Sequence, residues 1–104
     1  MLPKELQENI VRRIVEAVHP VRIILFGSHA YGTPTEGSDI DLLVIEEKVV
    51  SKRKESVRIW ELLSDLPFAK DIIVASWEEF DFYRKEAGSV FRTISEKGIE
   101  IYAR

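Results

Sequence analysis

Residues 21–45 have the sequence VRIILFGSHAYGTPTEGSDIDLLVI, in which two apolar runs flank a polar loop. Each run is short and almost wholly apolar, which is typical of a strand that is buried on both faces of a sheet. The intervening residues 27–38 are rich in Gly, Thr and Ser and are expected to form a loop with room for one helical turn. The segment therefore predicts two core strands joined by a polar loop.

Helices are predicted on both sides of these two strands. Apolar residues recur at every fourth position from Leu6 to Val18, and His19-Pro20 then ends the first helix. A longer helix follows the second strand, from a Ser51 cap to the residue before Pro67. Its predicted apolar face consists of Val57, Trp60, Leu63 and Leu66.

The C-terminal part of the chain predicts a third buried strand, two helices and a final strand. Residues 71–75 are predicted to form this strand, since Asp71 is followed by four apolar residues. Ser76 and Glu79 have the spacing of a capping box for a helix that begins at Trp77. A second helical segment ends at Gly98, and the alternating residues 99–102 favour an edge strand. The element order predicts an α/β (α+β) fold, with a mixed sheet of about four strands and helices packed on it.

Aromatic side chains are concentrated in the two C-terminal helices. Helical spacing favours a core position, and Trp77, Phe80 and Phe91 are predicted to lie in the core. Phe82 and Tyr83 have two interpretations, either as further core residues or as an exposed surface for a partner.

The composition limits the kinds of protein that this chain can be. Its 104 residues predict a single domain over residues 1–104, and the absence of cysteine excludes disulfides, cysteine zinc sites and thiol nucleophiles. No apolar run spans a membrane and residues 1–8 lack a signal-peptide core, so a cytoplasmic location is expected. The net charge of −3 disfavours binding of bulk nucleic acid, but not of a small anion that carries its own Mg²⁺.

A Gly-Ser pair leaves the end of the first predicted strand. Gly27 lets the backbone approach a ligand closely, and the following N–H groups and the Ser28 hydroxyl are suited to phosphate oxygens. A helical turn that starts at Ser28 would add its dipole to this site. A Gly-Ser pair alone is more often only a turn, so this interpretation depends on the residues that lie near it.

Three aspartates stand at the starts of the other two core strands. Asp39 and Asp41 are two residues apart, so their side chains leave the same face of a strand. Adjacent carboxylates repel each other unless a cation lies between them, and oxygen ligands suit Mg²⁺. Asp71 could reach the same site if the third strand lies beside the second. Three carboxylates and a triphosphate are the components of a two-metal centre for phosphoryl or nucleotidyl transfer.

The combined pattern resembles the active-site motif of the DNA polymerase β-type nucleotidyltransferase superfamily. That motif has Gly-Ser after an apolar strand, a spacer, two aspartates separated by one apolar residue, and a later acidic residue on a strand. Here Gly27-Ser28, the spacer of residues 29–38, Asp39-Ile40-Asp41 and Asp71 supply these parts. The similarity is closest to the minimal nucleotidyltransferases, small proteins that lack the second domain of larger members.

The resemblance implies a role for each motif residue. Asp39 and Asp41 would bind both Mg²⁺ ions or share one, and Asp71 would ligate the catalytic metal and help to activate the acceptor hydroxyl. Gly27 and Ser28 would hold the β- and γ-phosphates of ATP. The implied reaction is in-line attack on the α-phosphate with release of pyrophosphate.

The resemblance also implies a protein partner. Minimal nucleotidyltransferases are typically paired with a small all-helical toxin of the HEPN type, which they neutralise as antitoxins by transferring AMP to a partner tyrosine. Because no residues remain for a second domain, cover for the nucleotide is expected from this partner or from a homodimer. The alternative is a catalytically silent antitoxin that acts by contact only, although the intact motif argues against decay of the site.

Other side chains near the motif have a weaker claim to function. Tyr31 stands where many relatives carry Arg, which removes one cation from the phosphate site. His29 is expected to be a solvated loop residue rather than a phosphate ligand. Glu36 could enter the metal shell when the loop closes. Glu46 and Glu47 are rejected as ligands because they lie at the far end of the second strand.

Overall fold

The structure is a computed structural model that describes residues 2–35 and 37–104. The described residues form four strands, β1 (Arg22–Phe26), β2 (Ile40–Glu46), β3 (Lys70–Ser76) and β4 (Ile99–Ala103). They also form five helices, α1 (Lys4–Val18), α2 (Ser28–Tyr31), α3 (Lys52–Leu62), α4 (Trp77–Tyr83) and α5 (Val90–Lys97). The predicted order of elements is confirmed, and α2 is the single turn for which the first loop had room. No helix in these two ranges is long and apolar enough to cross a membrane.

The four strands form one mixed sheet in the order β3-β2-β1-β4. β1 pairs antiparallel with both β2 and β4. β2 and β3 run parallel, which is possible because α3 connects them as a crossover. The predicted α+β fold with a mixed sheet of about four strands is therefore confirmed, and β3 and β4 form its two edges.

Helices cover both faces of this sheet. On one face, α1 and α3 pack Ile10, Ile14 and Ile59 against the strands. On the other face, α4 and α5 pack Phe80 and Ile94 against the alternate residues of the same strands. Consecutive strand residues point to opposite faces, so both faces need apolar side chains, which explains the continuous apolar runs of the core strands. Polar side chains of the central strand β2 are consequently confined to its ends.

The buried face of α3 differs from the prediction. Ile59 and Leu63 are 0% and 1% exposed, whereas Val57 and Trp60 are 49% and 46% exposed. The helix also ends at Leu62, about one turn earlier than predicted. The predicted apolar stripe is therefore wrong for Val57 and Trp60, because α3 turns a neighbouring stripe of residues towards the core.

The aromatic residues of the C-terminal helices divide into a buried and an exposed group. Phe80 and Phe91 are buried as predicted, and their rings meet edge-on with centroids 6.0 Å apart. Trp77 is only half-buried and packs at the rim of the same cluster, so its predicted core position holds in part. Phe82 and Tyr83 are exposed, which leaves the partner-surface interpretation for these two rings.

Candidate active site

Gly27 links β1 to α2 and brings the backbone against Asp41. Its φ of 74° lies in the left-handed region, which L side chains rarely adopt. A Cβ added at this position would also collide with Asp41 Oδ2. Both the backbone conformation and the lack of space beside Asp41, a candidate metal ligand, therefore require glycine at this position.

The single turn α2 starts directly after Gly27. The N–H groups of Ala30 and Tyr31 donate to Gly27 O, at 3.0 Å in both cases. The N–H groups of Ser28 and His29 belong to the first turn and so have no acceptor within the helix. These two N–H groups and the Ser28 hydroxyl are the donors that the first turn can offer to phosphate oxygens.

The strand register brings the predicted carboxylates to one end of the sheet. Asp41 lies opposite Phe26 in the antiparallel pair of β1 and β2, directly beside the Gly27 turn. In the parallel pair of β2 and β3, Asp41 is the register partner of Asp71. The condition for Asp71 to reach the site, that β3 lies beside β2, is therefore met. Asp39 is exposed and immediately precedes β2.

The charge on Asp41 is unfavourable in this arrangement. Burial, and then the negative charges of Asp71 and Asp39, raise the pKa of the half-buried Asp41 carboxyl above its ordinary value, and His29 opposes this only in part. A divalent cation at this end of the sheet would stabilise the ionised form of Asp41, because it attracts all three carboxylates. The electrostatics thus favour a cation between these side chains.

The donor set fits Mg²⁺ in its chemistry, because all three side chains offer hard carboxylate oxygens. Within residues 2–35 and 37–104, however, no three His, Cys, Asp or Glu side chains already form a group that could hold a metal ion. Binding of Mg²⁺ would therefore require these carboxylates to rearrange. Phosphate oxygens of a nucleotide would complete the metal shell.

His29 differs from its prediction as a solvated loop residue. Its Nε2 lies 3.3 Å from Ser38 O, so the ring ties α2 to the end of the loop, and its Nδ1 is buried without a hydrogen-bond partner in the described part of the chain. No feature of the sequence signals this burial, since it depends on how the loop folds back. Tyr31 is 43% exposed at the end of α2. Glu36 lies outside the described residues, so its entry into the metal shell stays a prediction.

A separate acidic pair lies at the opposite end of β2. Glu46 is 7% exposed, and among the described residues its Oε2 has no hydrogen-bond partner. Burial, followed by the hydrogen-bonding contact and charge of Glu55, raises the pKa of Glu46 to about 8, although Arg58 opposes the shift. This carboxyl is remote from Asp41 along the strand, which is consistent with rejecting Glu46 and Glu47 as metal ligands.

Glu46→Gln is expected to raise the melting temperature near pH 8 by about 5 °C or more, a shift that corresponds to about 1 kcal/mol in a chain of this size. The pKa of Glu46 is about 8 in the folded protein, against an ordinary value of 4.5. The folded state therefore binds more protons than the unfolded state between these values, and stability falls as the pH rises through this window. The amide cannot ionise, so the stability of the variant should not decrease in this way as the pH rises.

Thermal melts from about pH 4 to pH 9 test this prediction. Near pH 4, where the wild-type carboxyl is protonated in both states, Glu46→Gln and wild type should melt at similar temperatures. Glu47→Gln is the matched control because Glu47 is exposed and follows Glu46 in the chain. Equal pH dependence in wild type and Glu46→Gln would refute the burial of an ionisable group at this end of the strand.

The described residues combine a mixed four-stranded sheet with a Gly-Ser turn and carboxylates at one end of the central strands. A profile of the nucleotidyltransferase domain family matches residues 5–100, and the chain therefore belongs to this family. This confirms the superfamily that the motif resembles. A search of curated proteins finds no significant match to this chain.

The solved structures that share the fold include two toxin–antitoxin structures. One is a toxin–antitoxin structure with AMP-PNP, at 20% identity and a TM-score of 0.70, covering 94% of this chain and 73% of the matched chain. The other is the MntA–HepT toxin–antitoxin, at 19% identity and a TM-score of 0.63, covering 97% of this chain and 74% of the matched chain. At this level of identity the similarity concerns the fold.

Proposed function

We propose that this chain is a Mg²⁺-dependent nucleotidyltransferase that transfers AMP from ATP to a tyrosine hydroxyl of a HEPN-type toxin partner, and so acts as an antitoxin in the cytoplasm. The observation that carries this proposal is the register that sets Asp41 between the Gly27 turn and Asp71. Further support comes from the two similar structures, which are toxin–antitoxin structures, one of them with AMP-PNP.

The nucleotide would lie at the end of the sheet where β1 and β2 meet the loop. Gly27 and Ser28 would bind the β- and γ-phosphates through N–H groups and the Ser28 hydroxyl. Asp39, Asp41 and Asp71 would hold Mg²⁺. When bound, Mg²⁺ supplies charge stabilisation to the attacking and leaving oxygens. Any cover over the nucleotide would come from the toxin partner or a second copy of the chain.

The reaction would be a single in-line displacement at the α-phosphorus. The acceptor oxygen forms a bond to this phosphorus while the bond to the bridging oxygen of the β-phosphate breaks, and pyrophosphate leaves. The hydroxyl proton would pass to the carboxylate of Asp71, which lies on the edge strand and is open to an incoming acceptor. The chain's own contribution is chiefly to position the two reactants.

Labelled ATP tests this function directly. Purified protein, Mg²⁺ and ATP labelled at either the α- or the γ-phosphate are added to an extract of the source organism. We expect label from the α position alone to reach one protein band, in a reaction that a metal chelator abolishes, and hydrolysis of that protein to yield AMP-tyrosine. Absence of label from either ATP, or transfer from the γ position, would contradict the proposal.

A further inference from the structure

A cleft lies between α3 and the outer edge of β3, beside the candidate third carboxylate. It has a volume of about 190 Å³, and the residues that line it include Val57, Trp60, Lys70, Asp71 and Ile72. Val57 and Trp60 are each about half exposed. Because they are three residues apart on the helix, they form one apolar wall of this cleft. Other residues of α3, such as Ile59, pack against the core, so Val57 and Trp60 are not needed for the packing of this helix.

The sheet order places the cleft on the acceptor side of the proposed site. Gly27 follows β1, Asp41 lies on β2 and Asp71 lies on β3, so the three follow one another along one end of the sheet. In an in-line displacement, the attacking and leaving oxygens are on opposite sides of the phosphorus. If pyrophosphate leaves beside Gly27, the acceptor enters from the side of Asp71, and the next surface beyond Asp71 is the cleft.

The outer edge of β3 offers a backbone to an incoming segment. Within the described residues β3 pairs with β2 alone, so its other edge can pair with an extended peptide. Lys70 and Asp71 are consecutive, and their side chains leave opposite faces of the strand. An extended segment along this edge would alternate in the same way. One of its residues would face Asp71 while its neighbours face Trp60.

Lys70 gives the cleft a positive charge. Its Nζ lies 5.1 Å from the centroid of the Trp60 ring and 5.5 Å from that of the Phe68 ring. None of the ion pairs in the described part of the chain involves Lys70. This ammonium group also donates to Leu66 O at 3.4 Å, and with no ion pair among the described residues it is suited to a carboxylate on the incoming segment.

We infer that the acceptor polypeptide docks on the outer edge of β3 as an extended segment, with its hydroxyl residue facing Asp71 and an adjacent apolar side chain packed on Trp60 and Val57. A carboxylate of the same segment pairs with Lys70. This inference rests on the proposed function and specifies how its protein substrate is recognised. It assigns acceptor affinity to α3 and β3, and nucleotide affinity to the Gly27 turn.

Steady-state kinetics with the purified acceptor, identified by α-labelled ATP, test this docking site. Trp60→Ala is expected to raise the KM for the acceptor about 30-fold, as truncation of a central aromatic anchor does, and to leave the KM for ATP unchanged. Val57→Lys alters a second exposed position of the same wall and should raise the same KM. Val90→Lys is the matched control for Val57→Lys, because it places the same charge at a position that is 52% exposed on a helix on the other face of the sheet.

The outcomes separate the docking site from the proposed function. If wild type transfers AMP and both cleft variants keep the wild-type KM for the acceptor, the docking site is wrong and the proposed function stands. A raised KM for ATP alone would assign the cleft to the adenine base and would overturn the inference. If wild type transfers no AMP, the proposed function fails and the docking site fails with it. Thermal melts of each variant verify that it is folded.

Discussion

Asp41→Asn is expected to lower AMP transfer at least about a thousand-fold, which corresponds to about 4 kcal/mol of lost transition-state stabilisation. Asp41 is the central carboxylate of the proposed site, since it is the register partner of Asp71 and contacts the Gly27 turn. The same substitution should raise the melting temperature in the absence of Mg²⁺. Burial and the charges of Asp71 and Asp39 raise the pKa of Asp41, so its ionised form destabilises the fold at neutral pH, and the amide removes this cost.

Transfer of α-label, thermal melts and toxin neutralisation are measured on the same preparations. Mg²⁺ should raise the melting temperature of wild type more than that of Asp41→Asn, because the ion binds the folded state. Glu47→Gln is the control for removal of a carboxylate, since Glu47 lies beyond the other end of β2 and pairs with Arg104 at 3.0 Å. An Asp41→Asn variant that transfers no AMP but still neutralises its partner would identify a contact-only antitoxin.

Gly27→Ala should lower AMP transfer at least about a hundred-fold, the effect expected when reacting groups are misplaced by about 1 Å. The alanine Cβ would collide with Asp41 Oδ2, so either the turn or the carboxylate has to move. It would also occupy a φ of 74°, which is unfavourable for an L residue. The variant is expected to melt below wild type and to bind ATP weakly.

Gly88→Ala separates these two effects. Gly88 has a φ of 82°, but a Cβ there would meet nothing within 4 Å. It should lower the melting temperature by about 5 °C through backbone strain alone and leave transfer unchanged in the folded protein. If Gly27→Ala and Gly88→Ala lose stability equally and both keep full activity, the contact between Gly27 and Asp41 has no functional role.

The order of helices and strands could be predicted because each element repeats apolar residues with its own period. The repeat from Leu6 to Val18 corresponds to α1, and the two apolar runs of residues 21–45 correspond to β1 and β2. The buried face of α3 could not be predicted in the same way. Apolar residues of α3 form two overlapping stripes, and the packing of the helix on β3 selects the one with Ile59 and leaves Trp60 exposed.

The residues of the candidate site could be found along the sequence, but not their proximity. The position of Asp71 beside Asp41 depends on strand order, which results from contacts between distant parts of the chain. The role of a glycine is likewise visible only in the fold. Gly98 caps α5 and so ends the helix as predicted, but its φ of −69° is ordinary and does not itself require glycine. Glycine is needed there because a Cβ would crowd Ile94 O and Ile24 Cγ2.

The sheet order also has a consequence for the timing of folding. β1, which leads into Gly27, is held between β2 and β4, and β4 begins only at Ile99. Closing so long a loop costs chain entropy and delays the pairing of β1 with β4, whereas β2 and β3 pair across the shorter connection through α3. The Gly27 turn belongs to the short β1–β2 connection and can form with that pair, but the second edge of β1 is covered only when β4 has paired. Until then this edge is open to another strand, so incomplete chains would be prone to aggregation.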